Sequence, residues 1–305
     1  MTWPKTTQAV THPSSASPPP PLFSSPQRSS PSRRFSWGRY YLIIVGGGCV
    51  GLVLLAALLS PVIMPYSPYE LNISHRLQSP SIDHLLGTDE LGRDVLTRAM
   101  YAARISVQVA SVAVTIGLLG GTIFGVLAAY LGGLVDLILM RFMEMLFSFP
   151  AILLAIVLMA SLGTNLANAM AAIGIVFIPG FSRLARAATQ GVLRQQYIEA
   201  ARTIGMSDRR LLLREVLPNV ITPLIVEAMA AFGYAVLLES SLSFLGLGAQ
   251  PPEPSWGNML NTGRGFMIQA PWLSAVPGMA MFIGVLGFNL LGDGLRDFFD
   301  PKMSQ

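Results

Sequence analysis

Side chains able to catalyse a reaction are few in this chain and show no catalytic arrangement. ATP hydrolysis would need the phosphate-binding pattern G-x-x-x-x-G-K-[ST], but the only lysines, Lys5 and Lys302, stand in no such pattern. The histidines, His12, His75 and His84, lie outside the apolar runs, and those runs contain no lysine. No nucleophile and base are therefore paired for hydrolysis within a membrane. The sequence predicts no catalytic residue and no cofactor.

A metal site is the next chemistry to consider. His75, Asp83, His84 and Asp89 follow the first apolar run and form a loose cluster in sequence. Their spacing does not match H-E-x-x-H or a related ligand pattern. We interpret them as solvated loop residues and predict no metal.

Glutamates lie in apolar stretches, where an ionised group is costly and often functional. Glu144 follows Arg141 by three residues, so the two share a helix face and are expected to pair. Glu227 and Glu239 occupy one later stretch. They are candidates for lining a solute path or for bonding across a helical bundle, and the sequence leaves both roles open.

The elements that carry these residues are membrane spans. Hydrophobic residues make up 52% of the sequence and charged residues 12%, whereas soluble domains carry about 25% charged residues. A bilayer span takes about 20 apolar residues. We predict an all-α integral membrane protein with six transmembrane helices, at 40–64, 105–131, 134–160, 166–181, 220–246 and 272–291.

The first 39 residues precede these spans and differ from them in composition. Residues 1–39 are rich in proline and serine and are predicted to form a disordered cytoplasmic tail. A signal peptide is the alternative, but the run 40–64 is too long for its apolar core and no A-x-A cleavage site follows. We predict an uncleaved first transmembrane helix.

The distribution of arginine and lysine gives the orientation. With the tail inside, basic residues on the cytoplasmic side outnumber those outside by about three to one, as the positive-inside rule requires. Residues 65–104 are then extracytoplasmic, whereas 182–219 and the C-terminal 293–305 are cytoplasmic. We predict a multi-pass protein of a bacterial-type inner membrane with both termini cytoplasmic. The net charge of +4 is explained by this pattern, so no nucleic acid partner is expected.

Glycine and proline give two further predictions about the spans. Gly117, Gly121 and Gly125 recur every four residues, as do Gly47 and Gly51, so each set is expected to let a neighbouring backbone approach. The simpler reading of both sets is that glycine is common in membrane helices. Four prolines are expected to kink or end their helices: Pro150, Pro179, Pro223 and Pro277.

The long polar segment 182–219 is the most informative part of the chain. Alanine-rich sequence predicts a helix ending at Ile204, and Gly205 suits the left-handed residue that closes it. Ser207 or Asp208 begins a second helix that is expected to stop near Pro218. The two short helices predict a projecting knob for a partner's groove. The alternative is an amphipathic segment lying on anionic lipid.

This segment resembles the EAA loop of ABC-importer permeases, and three other segments resemble the second (C-type) permease of the dipeptide, oligopeptide and nickel branch. The EAA loop match consists of Glu199, Ala200, Ala201, Gly205, Leu217 and Pro218. The other segments are 86–94, 242–248 and 288–297 followed by Asp300-Pro301. The resemblance covers about residues 40–301 in order and leaves only the tail unmatched.

The resemblance implies a type I ABC importer permease (MetI-like) bundle, with a core at 105–292 and coupling through the EAA loop. It implies four kinds of contact: a second homologous permease in a heterodimer, two cytoplasmic ATP-binding subunits, an extracytoplasmic solute-binding protein and the lipid bilayer. Peptides, other small solutes and nickel complexes are the candidate cargo. The rival hypotheses are a self-sufficient secondary transporter or channel, which should show an inverted repeat, and a membrane enzyme.

Overall fold

The computed structural model describes residues 37–299, and within this range all regular structure is helical. Residues 1–36 of the predicted tail and residues 300–305 lie outside the described residues, and α1 begins at Trp37, three residues before the predicted span. The α-helices are α1 Trp37–Ile63, α2 Val95–Leu131, α3 Gly133–Phe147, α4 Ala151–Leu162, α5 Leu166–Leu193, α6 Gln196–Thr203, α7 Asp208–Leu211, α8 Leu217–Phe244, α9 Trp256–Gly263 and α10 Trp272–Phe299.

The apolar helices agree with the predicted all-α membrane fold. Between residues 37 and 299, five helical segments are long and apolar enough to cross a membrane, and α3 with α4 makes a sixth if the bent pair is one span. The single span predicted at 134–160 is wrong in detail, because the chain bends by 93° between α3 and α4. The break falls at Pro150, which lacks an amide hydrogen and precedes α4.

Two predicted boundaries are also wrong. Helix α2 begins at Val95 rather than at 105, because Asp94 caps it by accepting a hydrogen bond from the Thr97 amide. Helix α5 runs on to Leu193, so the first twelve residues of the predicted loop 182–219 belong to a span. Its polar residues are used in packing: Ser182 is buried and donates a hydrogen bond to the Gly121 carbonyl.

Helices α2 and α5 form the main contact of the bundle, and the predicted glycine stripe lies in it. A methyl group on Gly121 would lie 2.3 Å from Cβ of Phe181, and one on Gly125 would lie 2.3 Å from the Ser182 carbonyl oxygen. Gly117 meets Phe177 in the same way. The close approach is therefore confirmed for this stripe.

The second glycine prediction is wrong, because a methyl group on Gly47 or Gly51 would meet no described atom within 4 Å. Helix α1 instead approaches α10 at Gly46, where an added methyl would lie 2.5 Å from the Leu291 amide nitrogen. Helix α10 contributes Gly287 to the same contact, facing Cys49. Cys49 is a free cysteine and packs there as a small side chain.

The prolines also divide into two groups. Pro150 separates α3 from α4, as predicted. Helices α5, α8 and α10 continue through Pro179, Pro223 and Pro277 respectively. Membrane helices tolerate such prolines when neighbouring groups satisfy the freed carbonyls.

The segment between α1 and α2 is ordered, so its interpretation as solvated loop is wrong for two residues. His84 is 6% exposed and its Nδ1 lies 3.1 Å from the Asp94 carboxylate. Asp89 is 5% exposed and contacts Arg93 at 2.6 Å and Arg98 at 3.5 Å. Within residues 37–299 no group of side chains is arranged to hold a metal ion.

The packing of this segment also changes the pKa of the Glu90 carboxyl group. Burial raises the pKa of Glu90, and the adjacent Asp89 raises it further. Glu90 lies 3.1 Å from Arg93, so the acidic and basic groups form one network at the start of α2.

Candidate functional site

The candidate site is the elbow, which we define as α6, the turn at Gly205 and α7, residues 196–211. It connects α5 to α8 and carries the predicted residues Glu199, Ala200, Ala201 and Gly205. One face of the elbow is buried against the bundle. Ile198 is 1% exposed and Leu211 is fully buried, so the elbow is fixed to the bundle rather than loosely attached.

The turn at Gly205 has the geometry predicted from the sequence. Helix α6 ends at Thr203 and Gly205 has φ +81°, in the left-handed region. The Gly205 amide donates to the Arg202 carbonyl at 3.0 Å, and the Met206 amide donates to the Ala201 carbonyl at 3.1 Å. These two bonds make a Schellman motif, which needs a left-handed residue at this position.

The far side of the turn is fixed by α2, a contact that the sequence did not predict. The Tyr130 hydroxyl, at the end of α2, donates a hydrogen bond to the Asp208 carboxylate. The Arg202 guanidinium lies over the Tyr130 ring, 5.9 Å from its centroid. Ser207 begins α7 without a side-chain cap, so Tyr130 holds this end of the elbow instead. No spacing signal links Tyr130 to Asp208, because the contact is made only in three dimensions.

The predicted helix stop near Pro218 is wrong. Residues Leu212–Val216 form a π-helical turn, and α8 follows directly, so the helical path from Asp208 to Phe244 is unbroken. Pro218 lacks an amide hydrogen and stands in the first turn of α8, directly after the π turn. Leu217 is half-buried and Pro218 is exposed at the start of α8.

The outer face of the elbow is apolar and basic. Ile204 is 81% exposed and Leu213, just beyond α7, is 55% exposed. Four arginines of the same part of the chain are also exposed: Arg202, Arg209, Arg210 and Arg214. The Glu199 and Ala200 side chains are also exposed, and Glu199 has no ion pair with any described residue. Exposed apolar side chains together with exposed arginines are residue types found at protein contacts.

The two carboxylates of α8 have different environments. Glu239 is fully buried and accepts hydrogen bonds from Ser243 at 2.7 Å, Ser240 at 3.2 Å and Ser106 of α2 at 3.4 Å. It therefore bonds across the bundle. Glu227 is exposed and lines a cavity of about 380 Å³ beside the break between α3 and α4.

The predicted pair of Arg141 and Glu144 is present on α3. The guanidinium and the carboxylate are 3.0 Å apart, and their side chains are 75% and 56% exposed. A second contact that the sequence did not reveal joins Asp136 of α3 to Arg186 of α5, with bonds of 2.6 and 2.5 Å. These charges lie on the helices next to the elbow and not in it.

Known proteins similar to this chain are membrane components of transport systems. Residues 121–305 match the family described as the binding-protein-dependent transport system inner membrane component. The dipeptide transport system permease protein of Alkalihalophilus pseudofirmus is 45% identical over 262 residues, which cover 86% of each chain. The glutathione transport system permease protein of Pectobacterium atrosepticum is 42% identical over 272 residues, covering 89% of this chain and 90% of the relative.

Proposed function

Because this chain belongs to the family of binding-protein-dependent transport system inner membrane components, we propose that it forms, with a second homologous permease, the path by which peptides cross the inner membrane. The family establishes a multi-pass, non-catalytic permease subunit of an ABC importer, in which partner subunits hydrolyse ATP. It also implies ATP-binding and solute-binding partners. The heterodimer and the cargo are the proposed parts.

The elbow is the proposed docking site for the ATP-binding subunits. Ile204 in the elbow and Leu213 just beyond it are exposed, and the exposed arginines of the same part of the chain can meet acidic groups of a partner. Glu199 has no partner within the described chain, so its carboxylate is available to another subunit. The alternative is that this segment lies on anionic lipid as an amphipathic helix. That alternative gives no role to the Schellman turn or to the contact between Tyr130 and Asp208.

The contacts of the elbow explain how a displacement of the elbow would be transmitted to the membrane-spanning helices. Helix α7, the π turn and α8 form one helical path of 37 residues, so a displacement at Asp208 is carried into the span. The Tyr130 bond joins the same point to α2. Closure of the ATP-binding subunits would then favour one arrangement of the bundle over another, by the difference in their binding to the two arrangements.

The proposed cargo is a small peptide. The names of two relatives refer to dipeptide and glutathione, both of which contain peptide bonds. A nickel complex is the less favoured cargo, because neither of these names refers to nickel.

The proposed topology places the elbow and both termini in the cytoplasm and the segment between α1 and α2 outside. Single cysteines at exposed Ile82 and Ile204 test it in a variant lacking Cys49. An impermeant thiol reagent added outside should label position 82 and not position 204. The reverse labelling would contradict the topology and the docking proposal together.

Reconstitution tests the function as a whole. The chain, its homologous permease, the ATP-binding subunits and the solute-binding protein are placed in liposomes, and uptake of labelled dialanine is measured. Uptake should require ATP, the binding protein and this chain. Uptake by the purified chain alone would instead support the rival secondary transporter or channel.

A further inference from the structure

The cavity beside the break between α3 and α4 combines apolar walls with a single charged side chain among its described lining residues. Its walls are mainly aromatic and aliphatic, and the charged side chain is Glu227. The aromatic members are Phe147, Phe149, Phe177, Phe181 and Tyr234. A volume of about 380 Å³ falls in the range of small-molecule sites, about 300–1,000 Å³.

Glu227 lies near the middle of its helical path. At 1.5 Å per residue it is about 28 Å from Asp208 and about 26 Å from Phe244. Glu227 therefore lies inside a helical segment that is long and apolar enough to cross a membrane, where ionised groups are rare and usually face a cavity or a partner. The cavity opens at the one place where an apolar helix pair is broken by a sharp bend.

The comparison with Glu239 shows that Glu227 has no bonded partner among residues 37–299. Glu239 is fully buried and takes three serine hydroxyl groups as donors. Glu227 makes no hydrogen bond or ion pair with any residue from 37 to 299 and is exposed to the cavity. Bundle stability therefore accounts for the first carboxylate and leaves the second without an explanation.

We propose that the Glu227 carboxylate binds the ammonium group of the solute as it passes through this cavity. The aromatic side chains other than Phe147, whose ring already has the Arg183 guanidinium 3.6 Å from its centroid, would hold the cation beside it. Carboxylates form strong charge-assisted hydrogen bonds with ammonium groups, and aromatic faces attract cations. This inference rests on the proposed function and narrows its cargo to solutes with a free amine, such as peptides with an unblocked N-terminus. A cationic group of the second permease is the competing partner for Glu227.

The test uses Glu227→Gln, which keeps the shape and removes the charge, and Glu227→Asp, which keeps the charge. Glu144→Gln is the matched control, because Glu144 is also an exposed carboxylate of an apolar helix and does not line this cavity. In the reconstituted importer, Glu227→Gln should lower dialanine uptake per ATP hydrolysed by about ten-fold or more, as loss of a charged hydrogen bond does. Glu227→Asp should retain more uptake than Glu227→Gln, and Glu144→Gln should match wild type.

A binding measurement separates this inference from the proposed function. Tritiated alaninamide, which is cationic, and N-acetylalaninamide, which is neutral, are bound to the permease assembly in nanodiscs without ATP or binding protein. Alaninamide should bind wild type about ten-fold or more tightly than Glu227→Gln, and the neutral probe should not distinguish them. Equal binding of alaninamide to both proteins would overturn the inference even if dialanine is transported. Loss of the second permease from Glu227→Gln on purification would overturn it in favour of an intersubunit pair. Absence of dialanine uptake by wild type, with the alaninamide difference present, would count against the proposed cargo and not against Glu227.

Discussion

Substitution of Gly205 should weaken the coupling of this permease to its ATP-binding subunits in proportion to the strain it creates. Gly205 has φ +81°, where a residue with a Cβ costs about 1–2 kcal/mol more than glycine. A methyl group there would meet no described atom within 4 Å, so the whole effect comes from the backbone and not from a clash. Asparagine tolerates this conformation better than alanine, and a β-branched residue tolerates it worst. We expect the order Gly, Asn, Ala, Val, from least to most impaired.

The energetic cost of a side chain at Gly205 predicts the size of the effect in the assay. A cost of about 1–2 kcal/mol changes the ratio of correctly formed to distorted elbow by a factor of about 5–30. The measurement is the amount of ATP-binding subunit that co-purifies with each variant, together with the dialanine transported per ATP hydrolysed. Both quantities should fall in the stated order while the amount of permease in the membrane stays constant.

Gly191→Val is the matched control for this series. Gly191 lies in α5 on the same side of the bundle, has open space at its Cβ position and does not have a left-handed φ. Valine in a helix is no worse than glycine, so this variant should dock and couple normally. Normal docking by Gly205→Val, or equal loss in Gly191→Val, would refute the reasoning.

The remaining predictions concern stability and the tail. Gly121→Ala should destabilise the purified assembly by about 1–3 kcal/mol, because the added methyl overlaps α5. Gly47→Ala should be neutral or stabilising by up to about 1 kcal/mol. A thermal unfolding assay measures both effects. Asp94→Ala should cost about 0.5–2 kcal/mol by removing the cap of α2, and Asp83→Ala, at an exposed site, should leave the melting temperature unchanged. Deleting residues 1–32 should leave insertion and peptide uptake near normal, because their composition does not favour folding; loss of uptake with normal insertion would reveal a partner for the tail.

The turn at Gly205 could be predicted from the sequence because it depends on local chemistry. A glycine after an alanine-rich helix favours a left-handed closing residue, and only the neighbouring backbone groups are needed to form the two bonds. The glycine stripe of α2 was predictable for a related reason, since a four-residue period places its members on one face. The pair at Gly47 and Gly51 has the same period and no neighbour, so spacing alone does not reveal which face meets a helix.

The boundaries of α2 and α5 could not be predicted from hydropathy. Arg98 at the start of α2 and Ser182 in α5 are polar and interrupt the apolar pattern, yet both are buried with partners from other parts of the chain. Arg98 donates to the Pro68 carbonyl, thirty residues away in sequence. Hydropathy therefore assigns a buried polar residue of a helix to a loop when the group that forms its hydrogen bond is distant in sequence.

The roles of the two carboxylates of α8 also could not be predicted from the sequence. The sequence offers Glu227 and Glu239 as equivalent candidates. Their roles separate only because Ser106, from α2, reaches Glu239 in the folded bundle, whereas the cavity at Glu227 is created by the bend between α3 and α4. The contact of Tyr130 with Asp208 is hidden for the same reason.

Site-specific cross-linking tests the docking claim most directly. Single cysteines replace Ile204, which is 81% exposed beside the elbow turn, and Ile82, which is 95% exposed between α1 and α2, in a variant with Cys49 replaced by alanine. The complete importer is treated with a short bifunctional thiol reagent, and products are identified with antibodies to each partner. The account predicts that position 204 cross-links to an ATP-binding subunit and position 82 does not. Cross-linking of that subunit from position 82, or its absence from position 204 in an importer that still transports dialanine, would contradict the account.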